Sequence, residues 1–248
     1  MIGIIGGSGL TQLSNLEITR REVVRTPFGE PSGALTFGSL KGHEVVFIAR
    51  HGYGHTLPPH AVNYRANIWA MHAQGVSGLV SVASVGGIRQ DFVPGALAVP
   101  HQLVDYTYSR MHTFFDTSEQ PVTHIDFTQP YCGELREALI KAAGEKRIAI
   151  IADGVYAATQ GPRLETAAEI NRLERDGADM VGMTGMPEAA LAREMGLCYA
   201  SIAVVANWAA GRGDSSDAVN LDVIRAVLDE AMGKVRLLLA TLVDNHGS

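Results

Sequence analysis

The chain carries Gly-Pro-Arg-Leu-Glu-Thr at 161–166, Val-Gly-Met-Thr-Gly-Met-Pro-Glu at 181–188, and then a long apolar run that ends at Asn207. Each apolar or glycine-rich piece stops at a polar residue. Such strand ends deliver side chains to the rim of a sheet, where small-molecule sites form. Glu165 accepts hydrogen bonds and Asn207 both donates and accepts, so together they could bind a planar ring with both kinds of group. Thr184 could offer a hydroxyl and a backbone N–H to an anion.

The N-terminal third repeats this pattern of an apolar strand followed by a polar end. The strand at 2–5 runs into Gly6-Gly7-Ser8-Gly9, the strand at 45–49 into Arg50-His51-Gly52, and the strand at 79–82 into Ala83-Ser84-Val85-Gly86-Gly87. These ends offer Ser8, Arg50 with His51, and the backbone around Gly86. Fixed N–H groups, an Arg fork and hydroxyls are the groups that bind phosphate. With Thr184, four strand ends therefore predict one anion site. Each motif alone is as readily explained as a turn or a cap.

Apolar segments rich in Val, Ile and Ala alternate with helical patterns along the whole chain. This alternation favours an α/β fold with a largely parallel or mixed sheet flanked by helices. No linker or repeat divides residues 1–248, so one domain is expected. We predict strands at 2–5, 34–38, 44–49, 78–83, 96–100, 149–156, 179–182 and 198–206. We predict helices at 60–74, 133–144, 165–176, 187–195 and 219–243.

The composition argues against a nucleic-acid-binding protein and against a membrane-spanning one. The 248 residues are 46% hydrophobic with a net charge of −6 and no Lys/Arg cluster, which argues against a nucleic-acid surface. No apolar run approaches the ~20 residues of a membrane span. The N-terminus is apolar but has no basic region, so we interpret it as a strand. Cys132 and Cys198 are the two cysteines. A reduced, cytoplasmic setting without a disulfide is the simplest interpretation.

Four other interpretations of these residues remain open. A Ser/His/Asp hydrolase would need a G-x-S-x-G elbow, which residues 6–9 do not match. A hydrolytic nucleosidase would not need Ser8, Arg50 and Thr184 together. A non-catalytic purine-binding protein would use the same ring-binding residues. The nine histidines could suggest a metal, but no H-E-x-x-H or Cys/His framework is present.

Six motifs, in this order and spacing, carry a resemblance that covers the chain from Gly6 to about Leu239. They are Gly-Gly-Ser-Gly-Leu (6–10), Thr-Pro-Phe-Gly-Glu-Pro-Ser (26–32), Ala-Arg-His-Gly (49–52), Val-Asn-Tyr-Arg-Ala-Asn-Ile-Trp-Ala (62–70), Gln-Gly-Pro-Arg-Leu-Glu-Thr (160–166) and Met-Thr-Gly-Met-Pro-Glu (183–188). The chain resembles the trimeric purine nucleoside phosphorylase and methylthioadenosine phosphorylase family. That resemblance implies a single nucleoside phosphorylase domain with a partly closed barrel.

The resemblance also assigns roles to individual residues. Phosphate, as a co-substrate, is expected on five of them: Ser8, Arg50, His51, Ser84 and Thr184. The nucleoside is expected on Leu164, Glu165, Met183 and Asn207, with Met183 under the ribose. Arg50, His51 and Asn207 are the expected catalytic groups. No metal or organic cofactor is implied. A cyclic homotrimer is expected, in which the aromatic segment 105–130 helps complete a neighbouring subunit's site and His124 reaches that neighbour's 5′ pocket.

Three positions bear on the substrate. Glu165 and Asn207 match the pattern of 6-oxopurine phosphorylases, because a carboxylate accepts from the N1–H that adenine lacks. Leu221 falls at the family's 5′ selector, where an apolar side chain fits a methylthio group and a His fits a hydroxyl. The resemblance thus implies phosphorolysis of a 5′-methylthio nucleoside of a 6-oxopurine. Phosphorolysis of methylthioadenosine, or of inosine and guanosine, is the alternative.

Overall fold

Within residues 1–116 and 121–247, which the computed structural model describes, the chain forms eleven strands and five α-helices. The strands are β1 (Ile2–Gly6), β2 (Glu17–Glu22), β3 (Leu35–Leu40), β4 (His43–Ala49), β5 (Gly78–Gly87), β6 (Leu97–Ala98), β7 (Gln102–Asp105), β8 (Ile150–Ile151), β9 (Val155–Ala158), β10 (Met180–Gly182) and β11 (Cys198–Trp208). The helices are α1 (Tyr64–Ala73), α2 (Gly133–Glu145), α3 (Ala167–Arg175), α4 (Glu188–Glu194) and α5 (Leu221–Gly247). Short 3₁₀ turns lie at Pro59–Ala61 and Gly213–Ser215.

All eleven strands belong to one mixed sheet that branches at β5. The main path runs β2-β3-β4-β1-β5-β10-β9-β7, while β11 pairs with β5 and continues to β6 and β8. Strands β4, β1, β5 and β11 are mutually parallel, and β10 runs antiparallel to β5. Among the described residues these pairings do not close into a ring. The sheet is therefore open and branched, whereas the resemblance implied a partly closed barrel. The predicted fold class, a single-domain mixed α/β sheet flanked by helices, is confirmed.

Alternating side chains of the central strands build a core on each face of the sheet. Val80 and Val82 of β5 pack with apolar residues of α2 and α5. Their neighbours Leu79 and Ala83 face the opposite way and pack with residues of α1 and α4. This period of two is the expected pattern for a strand buried on both faces. The rigid centre of the sheet therefore fixes where β1, β4, β5 and β11 end.

Most predicted elements lie within a few residues of the observed ones, and the exceptions have local causes. The single strand expected at 149–156 is two strands, because Gly154 between them has φ +140° and interrupts the extended backbone. Strand β2 was not predicted, since all six of its residues are exposed and it has no apolar alternation. The short strand β7 was missed for the same reason, with no buried residue.

The expectation that the two cysteines stay reduced is wrong. Cys132 and Cys198 form a disulfide, with their Cα atoms 5.1 Å apart. The fold brings them together although 66 residues separate them. Cys132 is the N-cap of α2, Cys198 opens β11, and the backbone N–H of Cys132 donates to the carbonyl of Tyr199 at 2.8 Å. Sequence spacing alone does not reveal such a contact.

In the part of the chain described here, no helix is both long and apolar enough to cross a membrane. Residues 117–120, inside the aromatic segment 105–130 that the resemblance assigns to a subunit contact, lie outside the described residues.

Candidate active site

A cavity of about 440 Å³ opens where β1, β4, β5, β10 and β11 end. Nine residues expected at the site from sequence line it together: Ser8, Arg50, His51, Ser84, Leu164, Glu165, Met183, Thr184 and Asn207. They come from six separate segments of the chain, so their convergence is a property of the fold. Two expected residues, Leu221 and His124, are not among the lining residues.

One end of the cavity is lined by small hydroxyl residues at strand ends. Ser84 is the single residue of β5 that is not fully buried, and it lies where β5 meets the cavity. Thr184 follows β10 and is only 7% exposed. Ser8 follows β1, and its Oγ lies 2.9 Å from Nε2 of His55. Hydroxyls and backbone N–H groups held in this way suit an anion.

Arg50 is completely buried at this end, and its charge is already paired. Nε and Nη2 donate to the two carboxylate oxygens of Glu188 at 2.7 and 2.8 Å. Nη2 also donates to Ser81 Oγ, and Nη1 donates to the carbonyl of Val82. Within the described part of the chain, these bonds use four of the five guanidinium N–H groups. The fifth, on Nη1, lies beside Gly7, where a β-carbon would come within 2.8 Å of Nη1.

The paired arrangement fixes the charge of Arg50. Burial alone would lower its pKa, but the charge and hydrogen bonds of Glu188 raise the pKa above its ordinary value. Glu188 is also fully buried and accepts a third hydrogen bond from the hydroxyl of Tyr199 at 2.9 Å. Arg50 therefore presents one N–H to the cavity rather than its whole fork.

His51 sits beside Arg50 in a fixed tautomer. Its Nδ1 lies 2.7 Å from the carbonyl of Leu57, so Nδ1 must carry the proton and donate. Burial and, to a lesser extent, the positive charge of Arg50 together lower the pKa of His51 to about 4. The imidazole is consequently neutral at pH 7, and Nε2 can accept a hydrogen bond. A protonated phosphate oxygen could donate that bond.

At the other end of the cavity, a hydrogen bond fixes the carboxylate of Glu165 where a ligand could contact it. Thr166 is the N-cap of α3 and forms a capping box with Glu169, so Glu165 lies just before the helix and takes no part in the cap. Thr159 donates from Oγ1 to Glu165 Oε1 at 2.7 Å. Oε2 keeps its capacity to accept from a ligand N–H.

Asn207 reaches the cavity because β11 is irregular at this point. The pairing of β11 with β5 shifts register between Val205 and Asn207. Such a bulge re-aims a side chain at the end of a strand. Nδ2 of Asn207 donates to the carbonyl of Trp208 at 2.6 Å, which uses one of its two N–H groups. One amide N–H and the carbonyl oxygen remain available for a ring that both donates and accepts.

A third, apolar part of the cavity wall comes from the start of α5 and the loop before it. Val219, Ile224 and Leu228 line it. Leu221, which the resemblance places at the 5′ selector, is 61% exposed at the first residue of α5. Ile224 lies one turn later, on the face that contacts the cavity. His124 is exposed, and its expected role in a neighbouring subunit stays a prediction.

Sequence reasoning missed several residues that hold this site together. Thr159 orients Glu165, and Glu188 orients Arg50. Glu188 is the last residue of the motif at 183–188, so the motif pointed to Glu188 itself. Nothing in the sequence indicates that Glu188 pairs with Arg50. Thr159 precedes the other motif by one residue and carries no signal of its own.

Comparison with known proteins agrees with this geometry. Residues 1–244 match the Phosphorylase superfamily. The chain is 53% identical to a probable S-methyl-5′-thioinosine phosphorylase of Pseudomonas syringae pv. tomato over 240 residues, which is 97% of each chain. It is 43% identical to the 6-oxopurine nucleoside phosphorylase of Pyrococcus furiosus, covering 97% of this chain and 91% of the relative.

A solved structure gives the same result in three dimensions. Methylthioadenosine phosphorylase from Schistosoma mansoni, in complex with adenine, superposes with a TM-score of 0.95 at 33% identity and covers 99% of this chain and 91% of its own. The resemblance carried by the six motifs is confirmed. On this evidence the chain belongs to the Phosphorylase superfamily.

Proposed function

We propose that this protein cleaves S-methyl-5′-thioinosine with inorganic phosphate, giving hypoxanthine and 5-methylthioribose 1-phosphate. The observation that carries the proposal is the three-part cavity. Hydroxyl and guanidinium donors lie at one end, the acceptor–donor pair of Glu165 and Asn207 at the other, and apolar side chains of α5 along one wall. The name of the Pseudomonas relative supports the same substrate.

The reaction balances without a metal or organic cofactor. As the C1′–N9 bond breaks, its electron pair passes to the purine and positive charge develops on the ribose, as in other glycosyl transfers. A phosphate oxygen then forms the new C1′–O bond, and the leaving purine takes up the proton that the hydrogen phosphate loses. We assign the phosphate to Ser8, Arg50, His51, Ser84 and Thr184. Its negative charge stabilises the ribose cation beside it.

The base is recognised through its protonation pattern. Glu165 accepts from N1–H of hypoxanthine, while the amide of Asn207 donates to O6 or N7 as negative charge develops on the leaving purine. Adenine has no N1–H and would leave the carboxylate facing a lone pair. A mismatch of this kind costs roughly 1–3 kcal/mol. Methylthioinosine is therefore the better substrate than methylthioadenosine.

The 5′ group is recognised by apolar contact. Met183 packs under the ribose, and Val219, Ile224 and Leu228 provide an apolar wall for a thioether methyl group. An apolar wall leaves a buried hydroxyl without a partner, at a cost of roughly 1–3 kcal/mol. This favours methylthioinosine over inosine, and it replaces Leu221 by Ile224 as the side chain we expect to make the contact.

A substrate comparison tests the proposal. Purified enzyme is assayed for kcat/KM with methylthioinosine, methylthioadenosine and inosine at saturating phosphate. We expect methylthioinosine to exceed each of the others by at least tenfold. A larger kcat/KM for methylthioadenosine would refute the base assignment, and a larger value for inosine would refute the assignment of the apolar wall.

We also propose that the chain works as one domain in a homotrimer. Of the aromatic side chains in segment 105–130, Phe114 packs against Phe28 inside the core, whereas Tyr108 is 66% exposed. Exposed aromatic groups are enriched at subunit interfaces. Light scattering at working concentration should give three times the mass of one chain, and a stable monomer would contradict the proposal.

A further inference from the structure

Two guanidinium groups are buried near the cavity in the described part of the chain, and only one of them is paired with a carboxylate. Arg50 is bound to Glu188 through two hydrogen bonds. Arg110, which is 8% exposed, is the other buried guanidinium. Among the described residues, no carboxylate oxygen lies within 4.0 Å of Arg110. Arg50, Arg110 and Glu188 together carry a formal charge of +1.

The partners of Arg110 are all neutral oxygens, and there are enough of them to hold the guanidinium in place. Nε donates to the side-chain oxygen of Gln160 at 3.1 Å. Nη1 and Nη2 donate to main-chain carbonyls and one hydroxyl, at Met183 (2.8 Å), Met186 (2.6 Å), Thr159 (3.2 Å), Gln160 (2.8 Å) and Tyr64 (3.3 Å). A guanidinium bound in this way keeps its full charge, because carbonyl dipoles solvate it without neutralising it.

Arg110 is close to the residues assigned to phosphate. The carbonyls of Met183 and Met186 that it binds flank Thr184 on the same loop. That loop continues directly into Glu188, the partner of Arg50. Both guanidinium groups act on Tyr64. Burial raises the pKa of Tyr64, and the positive charges of Arg110 and, to a smaller extent, Arg50 oppose that rise. Arg50, Arg110 and Glu188 thus form one buried charge cluster.

We propose that Arg110 supplies the net positive charge that attracts phosphate, whereas the charge of Arg50 is balanced by Glu188 and its role is to direct one N–H. This inference rests on the proposed phosphorolysis. Arg110 does not line the cavity, so it acts as a positioning and electrostatic residue through the 183–186 loop. In a low-dielectric interior, a fixed unit charge acts over several ångströms.

Single substitutions can lower or raise the net charge of the cluster formed by Arg50, Arg110 and Glu188. Arg110→Gln lowers the charge from +1 to 0, while Glu188→Gln raises it to +2. Arg110→Lys keeps the charge but loses most of the hydrogen bonds. Both glutamine substitutions remove buried partners and should lower the melting temperature. A purely structural role predicts weaker phosphate binding in both variants, whereas the charge account predicts opposite shifts.

The experiment measures the dissociation constant of inorganic phosphate by titration calorimetry, with hypoxanthine titrated separately as an uncharged ligand. We expect Arg110→Gln to weaken phosphate binding by about tenfold, the size of one unit charge at roughly 10 Å in an effective dielectric near 20. Glu188→Gln should tighten it by a similar factor, and Arg110→Lys should stay within threefold of the unmodified protein. Hypoxanthine affinity should change less than phosphate affinity in every variant.

Three outcomes would overturn the inference: weaker phosphate binding in both glutamine variants, equal loss in Arg110→Lys and Arg110→Gln, or unchanged binding in Arg110→Gln. If Arg110→Gln does not fold, Arg110→Met takes its place, because it also removes the charge, and the same loss of phosphate affinity is expected. Failure of the unmodified protein to bind phosphate or to carry out phosphorolysis would instead refute the proposed function. The two failures are therefore distinguishable.

Discussion

The two ends of the cavity are built differently. At the anion end, Arg50 and Glu188 are fully buried and bonded to each other, and strand ends supply the hydroxyls. At the nucleoside end, Glu165 and Asn207 are half-buried and Leu164 is 40% exposed. Leu164 and Glu165 lie in the loop before α3, and Asn207 lies at the irregular end of β11. The rigid end suits a step common to all substrates, and the exposed end suits substrate choice. Substitutions at the first end should therefore reduce turnover generally, and those at the second should change preference.

The largest effect is expected at Arg50. Arg50→Met removes a donor to phosphate and leaves Glu188 buried without its partner. Loss of one such donor lowers kcat by about 10²–10³-fold, and an unpaired buried charge costs about 3–5 kcal/mol of stability. Steady-state kinetics and thermal unfolding measure the two effects.

A double variant separates those effects. Arg50→Met combined with Glu188→Leu replaces the ion pair by apolar groups, which should restore most of the stability but none of the activity. Recovery of activity in the double variant would mean that Arg50 serves folding alone.

The second effect concerns His51 and the pH dependence of stability. Its pKa is about 4 in the folded protein and 6.5 when unperturbed. The unfolded chain thus binds a proton between these values and the folded chain does not. The stabilising contribution is complete above pH 6.5 and is lost as the pH falls towards 4, up to about 3 kcal/mol.

Chemical denaturation between pH 7 and pH 4 measures this slope. His51→Gln should flatten it relative to the unmodified protein, with the exposed His72→Gln on α1 as the control that leaves it intact. An equal slope in the His51 and His72 variants would show that His51 is not the group responsible.

A smaller effect, confined to the nucleoside end, is expected at Glu165. Glu165→Gln should lower kcat/KM for methylthioinosine by about 10–100-fold, because a charge-assisted hydrogen bond is worth about 1.5–3 kcal/mol. Methylthioadenosine should change little. Glu134→Gln, an exposed residue on α2, is the matched control. Equal losses on both nucleosides would contradict the assigned contact to N1–H.

The smallest effect should distinguish two residues of α5. Ile224→Ala removes part of the apolar wall and should lower kcat/KM for methylthioinosine by about tenfold, at ~0.8 kcal/mol per buried CH₂. Leu221→Ala changes an exposed side chain and should leave kcat/KM within twofold. The reverse result would restore Leu221 as the 5′ selector and would require a different conformation of the loop before α5.

The same contrast governs what the sequence could predict. Strand ends at the anion end follow from apolar runs that stop at polar residues, and the structure brings Ser8, Arg50, Ser84 and Thr184 to one cavity. The start of α5 follows a loop of uncertain length, so a one-turn difference moved the expected contact from Leu221 to Ile224. Loop geometry depends on packing rather than on local pattern.

Long-range partners were not predictable by the same means. The Cys132–Cys198 disulfide and the Arg50–Glu188 pair join residues 66 and 138 positions apart. The local periodicity of a sequence does not indicate contacts between distant residues. Edge strands β2 and β7 were missed because neither has buried residues to produce an alternating pattern. The sequence thus predicts the elements of this fold better than the contacts between them.

The central claim is that phosphate, not water, attacks the anomeric carbon. Phosphorus NMR of a reaction containing enzyme, methylthioinosine and inorganic phosphate tests it directly, with a phosphate-free reaction in parallel. We predict a new sugar-phosphate signal that grows in proportion to hypoxanthine, and no hypoxanthine release without phosphate. Release of hypoxanthine with free methylthioribose, at a rate that does not depend on phosphate, would contradict the account.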